Sequence, residues 1–299
     1  MKKIICALLI GIIVMCFAGC GTQKIPHVAN NSSVEIDPEV DRITTLDFDF
    51  SEQVLYESEN VRVTALSVLP YELGIQFKIE NLSDQKLAVG EENTGLIING
   101  LVIETITIPC EIEPHAEANM DVKVREELLR FSGIEKIQNV LLNWHVDTVE
   151  SKYKTSPLES LHDMKIVSES LSDDFTQEFR SGDKVLYEHN GICITYIGKD
   201  TYEQYDTVDC MLFSVENNSD IDISLYADKV SASGEEYRSQ TQQNNGYPPK
   251  TKGIMFVSAF SKDSSVPVQF NGSISLDLSL ISLQPSVKAQ ESVHFETSI

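Results

Sequence analysis

The chain has 299 residues, 41% apolar and 8% aromatic, a globular composition that excludes a disordered polymer. Against 23 basic residues stand 46 acidic ones, a net charge of −23. That excess excludes nucleic acid, whose phosphates must be neutralised by Lys and Arg, and a flat seat on an anionic lipid surface.

In chain order, Met1-Lys2-Lys3 is a short cationic start, and Ile4 to Ala18 is a continuous apolar run. The run is shorter than the roughly 20 residues of a membrane-spanning helix. A charged start, a brief apolar stretch and small residues before a cleavage point read as a secretory signal peptide, expected over residues 1–19. The end of this leader, Phe17-Ala18-Gly19-Cys20-Gly21, resembles the lipobox of bacterial lipoproteins, with Phe17 where Leu is usual. The resemblance implies cleavage after Gly19 and a diacylglyceryl group on the sulfur of Cys20, a lipid anchor on the extracytoplasmic face of the cell membrane. A plain secreted protein, or an uncleaved anchor, is the competing reading. Two acyl chains suffice for stable attachment. Loss of Lys2 and Lys3 leaves 21 basic residues against 46 acidic, a mature charge of −25. Residues 20–45 carry Pro26, Asn30-Asn31-Ser32-Ser33 and Asp37-Pro38 without an apolar period, and read as a polar linker. As a coil it spans roughly 25–30 Å.

At about 100–200 residues per domain, the remaining length suggests two domains, and the chain repeats itself. Val54-Leu55-Tyr56-Glu57 returns as Val185-Leu186-Tyr187-Glu188, and Phe77-Lys78-Ile79-Glu80-Asn81-Leu82-Ser83-Asp84 as Phe213-Ser214-Val215-Glu216-Asn217-Asn218-Ser219-Asp220. The turn Asn99-Gly100 lines up with Ser233-Gly234. The second copy is longer between the first two anchors, and Asp200 to Asp206 reads as an elongated loop. Two copies of one domain are expected, over residues 46–170 and 171–299.

Each copy reads as β. Val61/Val63, Ile75/Phe77/Ile79 and Leu142/Trp144/Val146 alternate with polar residues, as do Ile192/Ile194/Tyr196 and Met211/Phe213/Val215. A period of two buries one face of an antiparallel strand. Asn99-Gly100 between two apolar triplets is a two-residue hairpin signal, because both turn residues need positive φ. One helix is expected from Val124 to Phe131, with Val124, Leu128 and Leu129 at helical spacing and Gly133 to end it. The expected fold is all-β: two tandem immunoglobulin-like antiparallel β-sandwiches, with a short helix in the first. The runs Phe77-Lys78-Ile79-Glu80-Asn81, Ile98-Asn99-Gly100, Leu128-Leu129-Arg130-Phe131-Ser132-Gly133-Ile134 and Leu142-Asn143-Trp144-His145-Val146 resemble a repeated domain of surface lipoproteins from clostridia-like Gram-positive bacteria. That domain is similar to the telokin-type immunoglobulin-like fold and is mostly of unknown function. The resemblance implies the fold and carries no functional residues across.

Candidate chemistry is sparse. With Cys6 and Cys16 in the leader and Cys20 lipidated, Cys110, Cys193 and Cys210 remain, which fit no metal spacing. A hairpin centred near Thr201-Tyr202 would set Cys193 opposite Cys210, so a cross-strand disulfide stands against two free thiols. No two of the six histidines lie at a ligand spacing, and Cys110 with His115 reads as a surface loop. No nucleophile elbow, zinc-protease, phosphate-loop or dinucleotide motif is present, so neither metal nor cofactor is expected. Glu80/Asn81/Ser83/Asp84 and Glu216/Asn217/Ser219/Asp220 could supply oxygens to Ca²⁺ or form Asx turns. Trp144 reads as a core filler. Tyr237 through Tyr247-Pro248-Pro249, with Tyr202 and Tyr205 on the other long loop, reads as a recognition surface or a passive connector. The function expected is a non-enzymatic interaction or structural module of the cell surface, whose partner is a basic protein or a wall component. The alternative is a cell-envelope enzyme, or accessory subunit of one, whose carboxylate pair assembles only in the fold.

Overall fold

The computed structural model describes residues 46–299 except positions 71, 153, 173, 181, 183, 204–206, 243–245, 284–289 and 299. The leader, Cys20, the polar linker and Tyr205 lie outside the described residues. No helix among the described residues is long and apolar enough to cross a membrane.

Alternation makes the strands and closes them into sandwiches. In the first, β1 (Gln53–Glu57), β2 (Val61–Val68), β3 (Gly74–Asn81) and β8 (Glu117–Val124) form one sheet, with short β6 (Thr105–Ile106) at its edge. Facing it are β10 (Lys154–Val167), β9 (Asn139–Ser151), β4 (Leu87–Ile98) and β5 (Leu101–Ile103), with β7 (Cys110–Ile112) beside the start of β4. Val61, Val63, Ile75, Phe77 and Ile79 from one sheet meet Leu142, Trp144 and Val146 from the other, all buried. Phe77 and Trp144 pack edge-on with ring centroids 5.0 Å apart.

The second sandwich repeats this order. β11 (Lys184–His189), β12 (Ile192–Glu203), β13 (Thr207–Asn217) and β16 (Thr251–Phe260) face β18 (Gln290–Ser298), β17 (Ser273–Ser282), β14 (Ile223–Ala232) and β15 (Glu235–Gln242). Its core holds Phe213 against Phe295 at 5.9 Å and Tyr196 against Phe295 at 4.9 Å. Read from the C-terminus, the strand neighbours in both copies are those of an immunoglobulin sandwich. β10-β9-β4-β5 matches the A-B-E-D sheet and β8-β3-β2 the C-F-G sheet, with the chain running the opposite way.

The turn chemistry is as expected: Asn99 and Gly100 have φ of 51° and 86°, and Ser233 and Gly234 have 52° and 86°. Helix α1 runs Glu126–Ser132, two residues later than its periodicity suggests, and ends on Gly133 at φ 71°. Val124 is apolar because it ends strand β8 and is buried there, not because it begins a helix.

The hairpin of the second copy differs from expectation. Asp200–Glu203 is strand rather than loop, and a bulge between Tyr196 and Gly198 shifts the register. Cys193 therefore faces Glu216, Cys210 faces Asp200, and both thiols are free. Tyr237 lies within strand β15, not in a loop, and Tyr247 is fully buried in a bridge to Ile223.

The described residues lie in one compact unit, in which a strand pairing and a helix join the sandwiches. Strand β5 pairs in parallel with the first half of β16, Leu101 opposite Lys252 and Val102 opposite Gly253. Helix α1 covers the outer face of the β12-β13-β16 sheet, where Phe131 meets Phe256 at 5.2 Å. This is why β13 and β16 are apolar on both faces: Met211, Phe213, Met255 and Val257 serve the sandwich core, while Cys210, Leu212, Ile254 and Phe256 face the first sandwich.

Candidate functional site

Where α1 stops covering that outer face, the surface is polar and a groove of 290 Å³ opens at the junction. Its floor is laid across three strands: Thr195 on β12 stands opposite Ser214 on β13, and Glu216 on β13 opposite Lys252 on β16. Ile254 supplies an apolar patch, Leu101 of β5 one wall, and Phe179, Arg180 and Gly182 of the connecting segment the other. Gly182 is required there, because a Cβ would lie 2.2 Å from the carbonyl oxygen of Tyr196. The connecting segment thus touches the bulge in β12, and only glycine permits that approach.

The charges of the groove are paired. Lys252 Nζ lies 2.6 Å from Glu216 Oε1. Arg180 Nη1 donates to Asp200 Oδ2 at 2.8 Å, and Arg130 of α1 donates to Asp200 Oδ1 at 2.9 Å and to the Thr201 carbonyl at 2.6 Å. Burial alone would raise the Asp200 carboxyl; hydrogen bonds from Arg180, the Thr201 amide and Arg130 outweigh it and hold it below the usual range. Asn99, beyond setting its turn, donates to Lys136 O at 2.7 Å and to Gln177 Oε1 at 3.0 Å, tying the hairpin to the connecting segment.

The expected recognition tyrosines are not presented together. Tyr202 is 3% exposed, packed at 5.1 Å on Phe256 beneath the Arg125 guanidinium, with Ser258 donating to its hydroxyl. Tyr247 is fully buried, which pushes its phenol upward. Of the three that lie among the described residues, only Tyr237 is partly open, and its hydroxyl donates to Glu235 Oε2 at 3.0 Å. Tyr202 is a filler between sandwiches for the same reason that Asp200–Glu203 became strand: α1 lies over them. Cys193 is half-buried beside the groove, its Sγ 3.7 Å from Thr195 Oγ1, while Cys210 is sealed and burial pushes its thiol far up.

The oxygen clusters at the two strand ends are turns. Asn81 Nδ2 donates to the carbonyls of Gln85, Ile112 and Glu113, and its Oδ1 accepts from Ser83 N and Oγ. Asn217 repeats the pattern with Ile221, Tyr247, Pro248 and Ser219. No group of three or more metal-ligating side chains is found among the described residues. Glu80 lies near Arg62 and Lys78, Asp84 on His115, and Asp220 on Lys250.

The motif Val-Leu-Tyr-Glu has a structural use in both copies. Tyr56 OH donates to Glu159 Oε2 at 3.1 Å, and Tyr187 OH to Glu291 Oε2 at 2.6 Å, each joining the first strand of one sheet to the last strand of the other. Burial and the neighbouring Glu291 push the Tyr187 phenol up to about 12. The groove residues Leu101, Phe179, Arg180 and Lys252 were not legible as a site. The one signal was the run Ile254-Met255-Phe256-Val257, whose continuous apolar character announces a strand covered on both faces.

No family model matches the chain. No curated protein matches its sequence. Among solved structures, the YadV chaperone is similar with a TM-score of 0.22 and 11% identity over 76% of this chain and 92% of that one. A chain of the Salmonella enterica SafA pilin complex with the SafB chaperone gives a TM-score of 0.22 and 10% identity over 81% of this chain and 98% of the other.

Proposed function

We propose that this protein is a non-enzymatic binding module, held on the extracytoplasmic face of a cell membrane by a lipid on Cys20, whose ligand seats in the groove between its sandwiches. The observation that carries the reading is the groove itself: two sandwiches joined as one unit leave a 290 Å³ recess of hydroxyls, paired charges and an apolar patch. Concave junctions of this kind are where ligands bind, and a rigid scaffold lowers the entropy lost on binding. The groove's carboxylates support binding over acid/base catalysis. Glu216 on the floor is held on Lys252, and Asp200 beside the groove lies between two guanidinium groups, so both are engaged as ion-pair partners. The anchor rests on the cationic start, the apolar run and Ala18-Gly19-Cys20. With a charge of −23 on the whole chain, the partner is a basic protein surface or a cationic wall component.

A photocrosslinking residue at Ser214, on the groove floor, tests this in intact cells. A discrete adduct from position 214 and none from position 292, exposed on β18 in the other sheet of the second sandwich, is the expected result. Hydrolytic turnover of a wall substrate by the purified protein, with no adduct at 214, would replace the binding module by the envelope enzyme.

A further inference from the structure

The two sandwiches treat one sheet edge differently. In the second, the outer edge of β16 is filled over most of its length: Lys252 and Gly253 pair with β5, and residues 256–260 pair with β15. In the first, only Lys123 and Val124 of the equivalent strand β8 are paired on that side, with Ile106 and Thr105. Asn81 N donates to Ala116 O, and Val124 N to Leu73 O. Antiparallel alternation then gives Ala118, Met120 and Val122 to the ladder with β3, and points the backbone N–H and C=O of Glu117, Asn119 and Asp121 outward. Asn81 stands to Ala116 as Asn217 stands to Thr251, so Glu117 and Ala118 correspond to Lys252 and Gly253, the residues that accept β5.

We propose that this open edge of β8, Glu117 to Asp121, accepts an extended, basic segment of a second protein as an added strand. The molecule shows that such an edge takes a strand in parallel, since its own β5 does so on β16. Strand addition draws affinity from backbone hydrogen bonds and specificity from alternate side chains. Here the outward side chains are Glu117, Asn119 and Asp121, all exposed. At the end where β6 leaves off, Ile106 and Ile108 are 60% and 83% exposed, an apolar contact for a strand that continues past Asp121. Charge selects the occupant. A second copy of this chain would offer its equivalent of β5, Glu235-Glu236-Tyr237, and set carboxylates against Glu117. The outer face beside the edge differs as well: it carries Gln76, Lys78, Asn119 and Asp121 where the second sandwich has Leu212, Ser214, Ile254 and Phe256, so no second helix is called to cover it. Edge charges bar like strands and admit a complementary one. The site is separate from the groove, and its test does not depend on the groove.

The test is fluorescence anisotropy of a labelled peptide, KKLVIKK, with the purified protein at low salt, against its acidic counterpart EELVIEE. Saturable binding of the basic peptide, at least tenfold tighter than the acidic one, is expected. Glu117→Lys should reverse that preference. Asn119→Pro removes one outward N–H without touching the β3 ladder and should lower binding at least tenfold while the protein still melts cooperatively. Equal binding of the two peptides, no saturable binding at millimolar peptide, or full binding by Asn119→Pro would overturn the proposal. So would concentration-dependent dimerisation that Asn119→Pro abolishes, which would make the occupant a second copy.

Discussion

Asn81 and Asn217 show how much one side chain can fix. Each is buried, and each amide makes five hydrogen bonds that join a strand end, a tight turn and the segment entering the next strand. Replacing Asn217 by Ala leaves the carbonyls of Ile221, Tyr247 and Pro248 without their donor, a cost of about 2–4 kcal/mol that denaturant unfolding will report. Glu91 is the opposite case. It continues the inward row Leu87, Val89 and stands opposite Trp144, yet Glu91 Oε1 and Trp144 Nε1 are sealed with no hydrogen-bond partner among the described residues. Burial raises its carboxyl, partly offset by the Thr105 hydroxyl. As pH rises past the ordinary Glu range, the unfolded chain ionises first, and stability falls until the folded carboxyl also ionises. Glu91→Gln should therefore leave the melting point unchanged at pH 4 and raise it at pH 7.5 by about 2–4 °C, the shift given by 1 kcal/mol in a chain of this size. An equal effect at both pH values would refute a buried titrating acid.

At the scale of elements, α1 and β5 carry more consequence than their length suggests. The helix has 7 residues and would not persist alone. It exists because Leu128 and Leu129 are buried with the first core, and Phe131 meets Phe256 on the outer sheet of the second. Phe131→Ala should cost about 3–5 kcal/mol through the cavity it leaves. Calorimetry should then show the single unfolding transition split in two, as the sandwiches uncouple; a lowered but single transition would mean that the β5–β16 pairing alone holds them. The helix was visible in the sequence as a short periodic run ending at Gly133, but its start was not. A buried strand-end residue, Val124, continues the same spacing, and local pattern cannot separate the two.

On the scale of the whole molecule, the junction makes a pair that does not propagate. The first sandwich gives a helix and a strand and presents a polar outer sheet; the second receives them and has no helix among its described residues. Under the lipoprotein reading, Cys20→Ser should move the protein from the membrane fraction to the culture medium, since most of the attachment energy lies in the acyl chains at about 0.8 kcal/mol per buried methylene. Retention of the Cys20→Ser protein in the membrane would sink the anchor.

Strand identity, turn positions and the twofold repeat were legible because each is written in nearest-neighbour chemistry: a period of two, Asn-Gly or Ser-Gly where φ must be positive, and Asn with Ser two residues on. The cysteine pairing, the buried tyrosines and the groove were not. They depend on a bulge between Tyr196 and Gly198, on the extension of β12 to Glu203, and on α1 lying across a sheet whose strand β16 is more than a hundred residues away in sequence. Polar or apolar character tells which face of a strand is covered; only the assembled chain determines what covers it, because that contact is made between residues with no local sequence relation.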